Sequence, residues 1–94
     1  MSTRDDYIEK MKLQLDELDA QMSKLEAKAQ EAKDTARDKY RDEMAKLRHQ
    51  SRLAKAKLVD LKAAGEDKWE TMVTEMEKVR DAFKHAFNYF KSQL

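Results

Sequence analysis

Cysteine and proline are absent from this 94-residue chain, and glycine occurs once. Without cysteine there is no disulfide framework, no thiolate zinc site and no thiol nucleophile. Tight turns draw on proline and glycine, so the many reversals of an all-β or α/β fold are excluded. Long apolar runs are missing as well. Nowhere do more than two apolar residues stand together, which rules out a membrane-spanning helix and a secretory leader at Met1–Lys10 and makes the cytoplasm the default location. What the chain does have is charge and alanine. Asp, Glu, Lys and Arg make up 41 % of it, and about a third of its 40 % apolar share is alanine, leaving little bulk for a closed monomeric core at this size. The expected class is all-α, in a single helical coiled-coil domain over 1–94.

Stepping by three and four residues picks out one stripe. It runs through Ile8, Met11, Leu15, Leu18, Met22, Leu25, Ala29, Ala32, Ala36, Tyr40, Met44 and Leu47, then Ser51, Ala54, Leu58, Leu61, Gly65, Trp69, Met72, Met76, Val79, Phe83, Ala86, Phe90 and Leu94. Of these 25 positions only Ser51 and Gly65 are not apolar, where a 40 % composition would supply about ten hits. From Ile8 to Ala36 the steps alternate three and four, a heptad pattern that winds a left-handed seam. Paired steps of four around Tyr40 and Gly65 are stutters that unwind it locally. The small stretch Ala29, Ala32, Ala36 admits a close partner helix but buries the least area, so it should open most easily.

Ser2 or Thr3, followed three residues later by Asp5 or Asp6, resembles a capping box and marks a helix start near residue 3. At Ala63-Ala64-Gly65-Glu66-Asp67, the glycine suits a left-handed cap, and Asp67 with Glu70 three residues on suits a new N-cap. The expected layout is a long amphipathic helix over 3–64, a turn at 65–66 and a helix over 67–93, with one continuous rod as the alternative. In the hairpin, residue i faces roughly residue 130 minus i, which sets Trp69 against Leu61, Met72 against Leu58, Phe83 against Leu47 and Phe90 against Tyr40. It also lays the acidic block 66–81, net −3, along the basic block 44–62, net +5. Against it, the stripe keeps its phase across Gly65. Either shape leaves the seam from Ile8 to Ala32 without a partner in the same chain, which calls for a coiled-coil homo-oligomer, dimer or tetramer. The interface residues of that reading are Ile8, Met11, Leu15, Leu18, Met22, Leu25, Leu47, Leu58, Leu61, Trp69, Met72, Met76, Phe83 and Phe90, and the turn residues are Gly65 and Asp67.

Reactive chemistry finds little footing. The residues three before His49 and His85 are Lys46 and Ala82, so the Glu-x-x-His pairs of metal-binding bundles are missing, and neither a nucleophile motif nor a phosphate-binding glycine loop occurs. No enzyme, metal or cofactor is implied. Lys46, Arg48, Arg52, Lys55 and Lys57 lie in an acid-free run and could bind an anion. No aromatic residue interleaves with them, however, and nucleic acid is the least favoured partner. Five of the seven aromatics fall in the last 26 residues, so Phe83, Phe87 and Phe90 could meet another protein or a lipid surface, although a packed bundle end explains them as well.

The segments Tyr7-Ile8-Glu9-Lys10-Met11-Lys12, Gln14-Leu15-Asp16-Glu17-Leu18, Lys24-Leu25-Glu26-Ala27-Lys28-Ala29 and Leu61-Lys62-Ala63-Ala64-Gly65-Glu66-Asp67-Lys68-Trp69-Glu70 together resemble the small bacterial coiled-coil stress-response proteins. The resemblance covers most of the chain and implies a cytoplasmic, non-enzymatic helical protein, with no catalytic residue to carry over. The functional expectation is a self-assembling structural or protein-interaction module associated with stress. A lipid-surface binder is the first alternative, and nucleic-acid binding through 44–62 is the second.

Overall fold

A computed structural model describes residues 3–31 and 34–93, for 34–36 by the backbone alone. Three helices account for nearly all of them: α1 (Thr3–Gln30), α2 (Asp34–Ala63) and α3 (Glu66–Gln93). The fold is all-α. Helices of 28 and 30 residues rise about 42–45 Å at 1.5 Å per residue, which matches the 50 × 20 × 18 Å envelope of a bundle one helix long. A continuous rod is thereby excluded. Contacts fix the directions. Tyr40 packs on Phe90 and Lys57 reaches Glu75, so α3 returns antiparallel along α2 in the register of 130 minus i. Ser51 bonds to Asp19 and Arg48 to Glu26, so α1 also runs antiparallel to α2, with residue i opposite roughly residue 72 minus i. The topology is up-down-up, with α2 in the middle.

The stripe is the core. Every described position of the walk from Ile8 to Phe90 is buried or half-buried except Gly65, while Ala32 and Leu94, and the side chain of Ala36, lie outside the described residues. Met11, Leu15, Leu25 and Ala29 of α1 enter the same cluster as Leu47, Leu58 and Leu61 of α2 and Met76, Phe83 and Phe90 of α3. Phe87, one position off the walk, is 5 % exposed and widens the seam of α3 toward α1.

Two expectations need correction. The helix expected over 3–64 is divided: α1 ends at Gln30, α2 begins at Asp34, and α1 folds back on α2. The seam from Ile8 to Ala29 therefore has a partner within its own chain, and the argument that it must look to another molecule for cover does not hold. Magnitudes explain the reversal. Interrupting a helix forfeits about 1 kcal/mol at a position, whereas covering one large apolar side chain returns about 1.5–3 kcal/mol, and α1 covers several. Neither glycine nor proline stands at 31–33 to announce the break. The start-type residues Asp34 and Thr35 are the signal that could have been read.

The second correction concerns Gly65. No glycine has a positive φ, so α2 does not close in a left-handed cap. The amide of Ala64 bonds to the carbonyl of Leu61 at 3.2 Å, and the carbonyl of Gly65 accepts from the amide of Lys68 at 3.1 Å. Gly65 thus stands where Asp67 was expected, just ahead of α3, and Asp67 lies in the first helical turn beside Glu66, where its charge complements the helix dipole. An outside donor makes the glycine cap dispensable: the Arg4 guanidinium of α1 donates to the carbonyl of Ala64. A Cβ on Gly65 would stand 3.0 Å from the carboxylate of Asp67, the far end of a flexible side chain. Gly65→Ala should consequently shift folding stability by no more than about 1 kcal/mol in urea titration and leave the helical circular dichroism unchanged; a strained left-handed turn would lose more.

Candidate interaction surface

The fourteen stripe residues expected at an interface are gathered into one intramolecular core. Met11, Leu15, Leu25, Leu47, Leu58, Leu61, Met76, Phe83 and Phe90 are buried, and Ile8, Leu18, Met22, Trp69 and Met72 are half-buried against them. Phe83 and Phe90 are fully enclosed, so contact of this face with lipid or another protein requires the bundle to open.

The basic set is dispersed instead of assembled. Arg48 turns to α1, where its Nε lies 2.7 Å from Glu26, and Lys55 pairs with Asp19 of the same helix. Lys57 turns the other way, to Glu75 of α3 at 2.7 Å. Lys46 meets Glu43 at 3.5 Å one turn back along α2, and Arg52 donates to the carbonyl of Arg48. Donating to Glu26 raises the Arg48 pKa and donating to Glu75 raises that of Lys57, while accepting from Lys57 lowers that of Glu75. Alternating its charges between two acidic neighbours, α2 does not present these five as one anion-binding face. Exposed ion pairs of this kind each contribute little to stability; their effect is to align the helices.

One joint was not anticipated. Ser51, the polar interruption of the stripe, is 4 % exposed, and its hydroxyl donates to the Asp19 carboxylate at 2.7 Å, whose other oxygen takes Lys55. A polar layer thus crosses the α1–α2 contact near mid-bundle, with Glu26–Arg48 two turns further along α1. The signal lay in Ser51 itself: a hydroxyl on an otherwise apolar seam needs a partner from the facing helix. Asp19→Ala should lower the stability by about 1–3 kcal/mol, because the serine is left buried and unsatisfied, and adding Ser51→Ala should restore part of the loss. A denaturant double-mutant cycle with no coupling between the two positions contradicts this account.

Both ends of the bundle are latched by a side chain that reaches a neighbour's C-terminal carbonyls, the groups a helix leaves unsatisfied. At one end Arg4 stacks over Trp69, 4.5 Å from the ring centroid, while it bonds to Ala64. Tyr7 meets the same indole edge-on at 5.8 Å and 79°. The other end has Tyr40 edge-on to Phe90 at 5.7 Å and 89°, with its hydroxyl donating to the carbonyl of Gln93 at 3.0 Å. Tyr7 also donates to Glu77 at 3.3 Å. Partial burial, reinforced by the Glu77 carboxylate, pushes its pKa from 10.0 up to about 12. The unfolded chain gives up this proton near its ordinary pKa while the folded chain keeps it. The contribution is therefore whole below pH 10 and is lost as the pH climbs through about 12. Tyr7→Phe should lose less of its urea midpoint than the parent chain between about pH 9.5 and 11.5.

Among the described residues, open clefts flank the bundle. One, of about 560 Å³, lies beside the α1–α2 reversal and is walled by Arg48 and Glu26, paired to each other, over Ala29 and Met44. Another, of about 450 Å³, lies between α1 and α3, with Arg80 bonded to Gln14 and Asp81 across its mouth. His49 and His85 are exposed, and among the described residues no group of His, Cys, Asp or Glu is arranged to hold a metal ion. No helix among these residues is long and apolar enough to cross a membrane. A scan against protein-family models, a search of curated proteins and a search of solved structures each match nothing.

Proposed function

We propose that this chain is a non-enzymatic helical module that works through protein contacts, copies of itself included. One observation carries the reading: a single apolar stripe, read in steps of three and four, makes all the helix pairings of the bundle, so each helix is a ready partner for the corresponding helix of another molecule. The resemblance to small bacterial coiled-coil stress-response proteins adds a role in stress and a cytoplasmic location to the proposal. The disposition of charge supports it over the alternatives. Four of the five basic residues of the acid-free run are engaged by Glu43, Glu26, Asp19 and Glu75, which leaves little field for a phosphate backbone. The aromatic face a lipid surface would want lies inside the bundle.

Multi-angle light scattering from low micromolar to about millimolar concentration tests this. The expected outcome is a mass that climbs above the 11.1 kDa of one chain with helicity constant. A mass fixed at one chain over the whole range overturns self-association.

A further inference from the structure

The stripe is spaced almost symmetrically about Ala36. Counting outward, Ala32 matches Tyr40, Ala29 matches Met44, Leu25 matches Leu47, Met22 matches Ser51, Leu18 matches Ala54, Leu15 matches Leu58 and Met11 matches Leu61. From Ala29–Met44 to Met11–Leu61 these are the layers of the closed bundle, since α1 meets α2 at roughly 72 minus i, as the Asp19–Ser51 and Glu26–Arg48 contacts show. The same numbers describe a second arrangement. If α1 and α2 join into one straight helix over 3–63, two such helices laid antiparallel pair in the identical register along their whole length. Their two-fold axis then falls at Ala36.

We propose that the chain exchanges α1 with a second copy, forming a two-fold dimer in which each α2–α3 hairpin is completed by the partner's α1. The inference rests on the self-association reading and names its geometry. Four observations support it. The residues between the helices, Glu31, Ala32 and Lys33, are helix formers with neither glycine nor proline among them, so a straight connection is locally favoured. The stripe holds its helical phase through Ala29, Ala32, Ala36 and Tyr40, so a single helix over 3–63 would carry the whole seam on one face. Asp19–Ser51, Asp19–Lys55 and Glu26–Arg48 form equally well whichever molecule supplies α1. Small side chains at Ala32 and Ala36 let the two backbones approach where they cross at the axis.

Because both forms bury the same contacts, the balance is set at the connection. Closing it within one chain costs helix continuity but benefits from an effective concentration in the millimolar range. Opening it restores about one helical turn per chain and is favoured by mass action.

The absence of cysteine makes the test clean. E26C and R48C, at sites whose side chains lie 2.7 Å apart across α1 and α2, are introduced into separate full-length chains. The two are unfolded together, refolded at about 0.5 mM and treated with a short bis-maleimide. The exchange predicts a covalent species of twice the 11.1 kDa chain mass that holds one chain of each kind, with little product from either variant alone. Inserting four glycines between Ala32 and Lys33, which eases the reversal, should lower that yield at least ten-fold while circular dichroism confirms the helical fold. A dimer by light scattering in the same mixture with no covalent product joining the two kinds of chain overturns α1 exchange and leaves self-association standing. Single-chain mass throughout overturns both.

Discussion

The pairing of α1 with α2 is the contact on which the rest of the bundle depends. Without it the α2–α3 hairpin would present the buried faces of Leu58, Leu47 and Phe87 to water, and the long N-terminal arm would carry Met11, Leu15 and Leu25 uncovered. That pairing is only partly apolar. It is threaded by Asp19, which takes Ser51 and Lys55 together, and by Glu26 with Arg48. Polar links of this sort stabilise a contact less than apolar side chains of the same size would, but they penalise a slipped register, since a shift of one turn would leave the Ser51 hydroxyl buried without an acceptor. The α2–α3 contact differs. Phe83 and Phe90 are fully enclosed, and the Lys57–Glu75 ion pair lies at its margin.

The two ends solve one problem in different chemistry. A helix terminus exposes carbonyls that want donors, and small proteins commonly supply them with a glycine cap. Here Arg4 serves the end of α2 and Tyr40 the end of α3, each lying against the aromatic residue that marks that end, Trp69 or Phe90. Capping has been moved from the turn to a neighbouring helix. This is why Gly65 need not adopt a left-handed conformation, and why the turn at Ala64–Gly65 is coupled to the docking of α1.

Much of this was legible in the residues. Steps of three and four located the core from Ile8 to Phe90, because a helix buried on one side leaves no freedom in that spacing. The reversal at Gly65 and the meeting of Tyr40 with Phe90 followed from the one glycine and from the complementary blocks on either side. The reversal after Gln30 did not follow. Local propensity at 31–33 favours continued helix, and the turn is imposed by burial of side chains as far away as Met11 and Leu15, a long-range effect that no short window of sequence contains. The basic run misled for a related reason: charges counted along the chain look concentrated, whereas on α2 they fan toward Asp19 and Glu26 on one side and Glu75 on the other.

A stripe that serves three helices equally is economical, and it carries an ambiguity. Sequences that specify one arrangement normally break such symmetry with differing layers, so that a helix fits one site and no other. This chain breaks it between α2 and α3, where three phenylalanines have no counterpart in α1, and leaves it nearly intact between α1 and α2, whose layers mirror one another about Ala36. The residues best able to choose a partner, Asp19 and Ser51, fix where α1 sits but are indifferent to whose α1 it is. Specificity of register and permissiveness of connection therefore coexist at one contact. In the exchange we propose, that permissiveness is what lets the chain engage a second molecule without making a new surface.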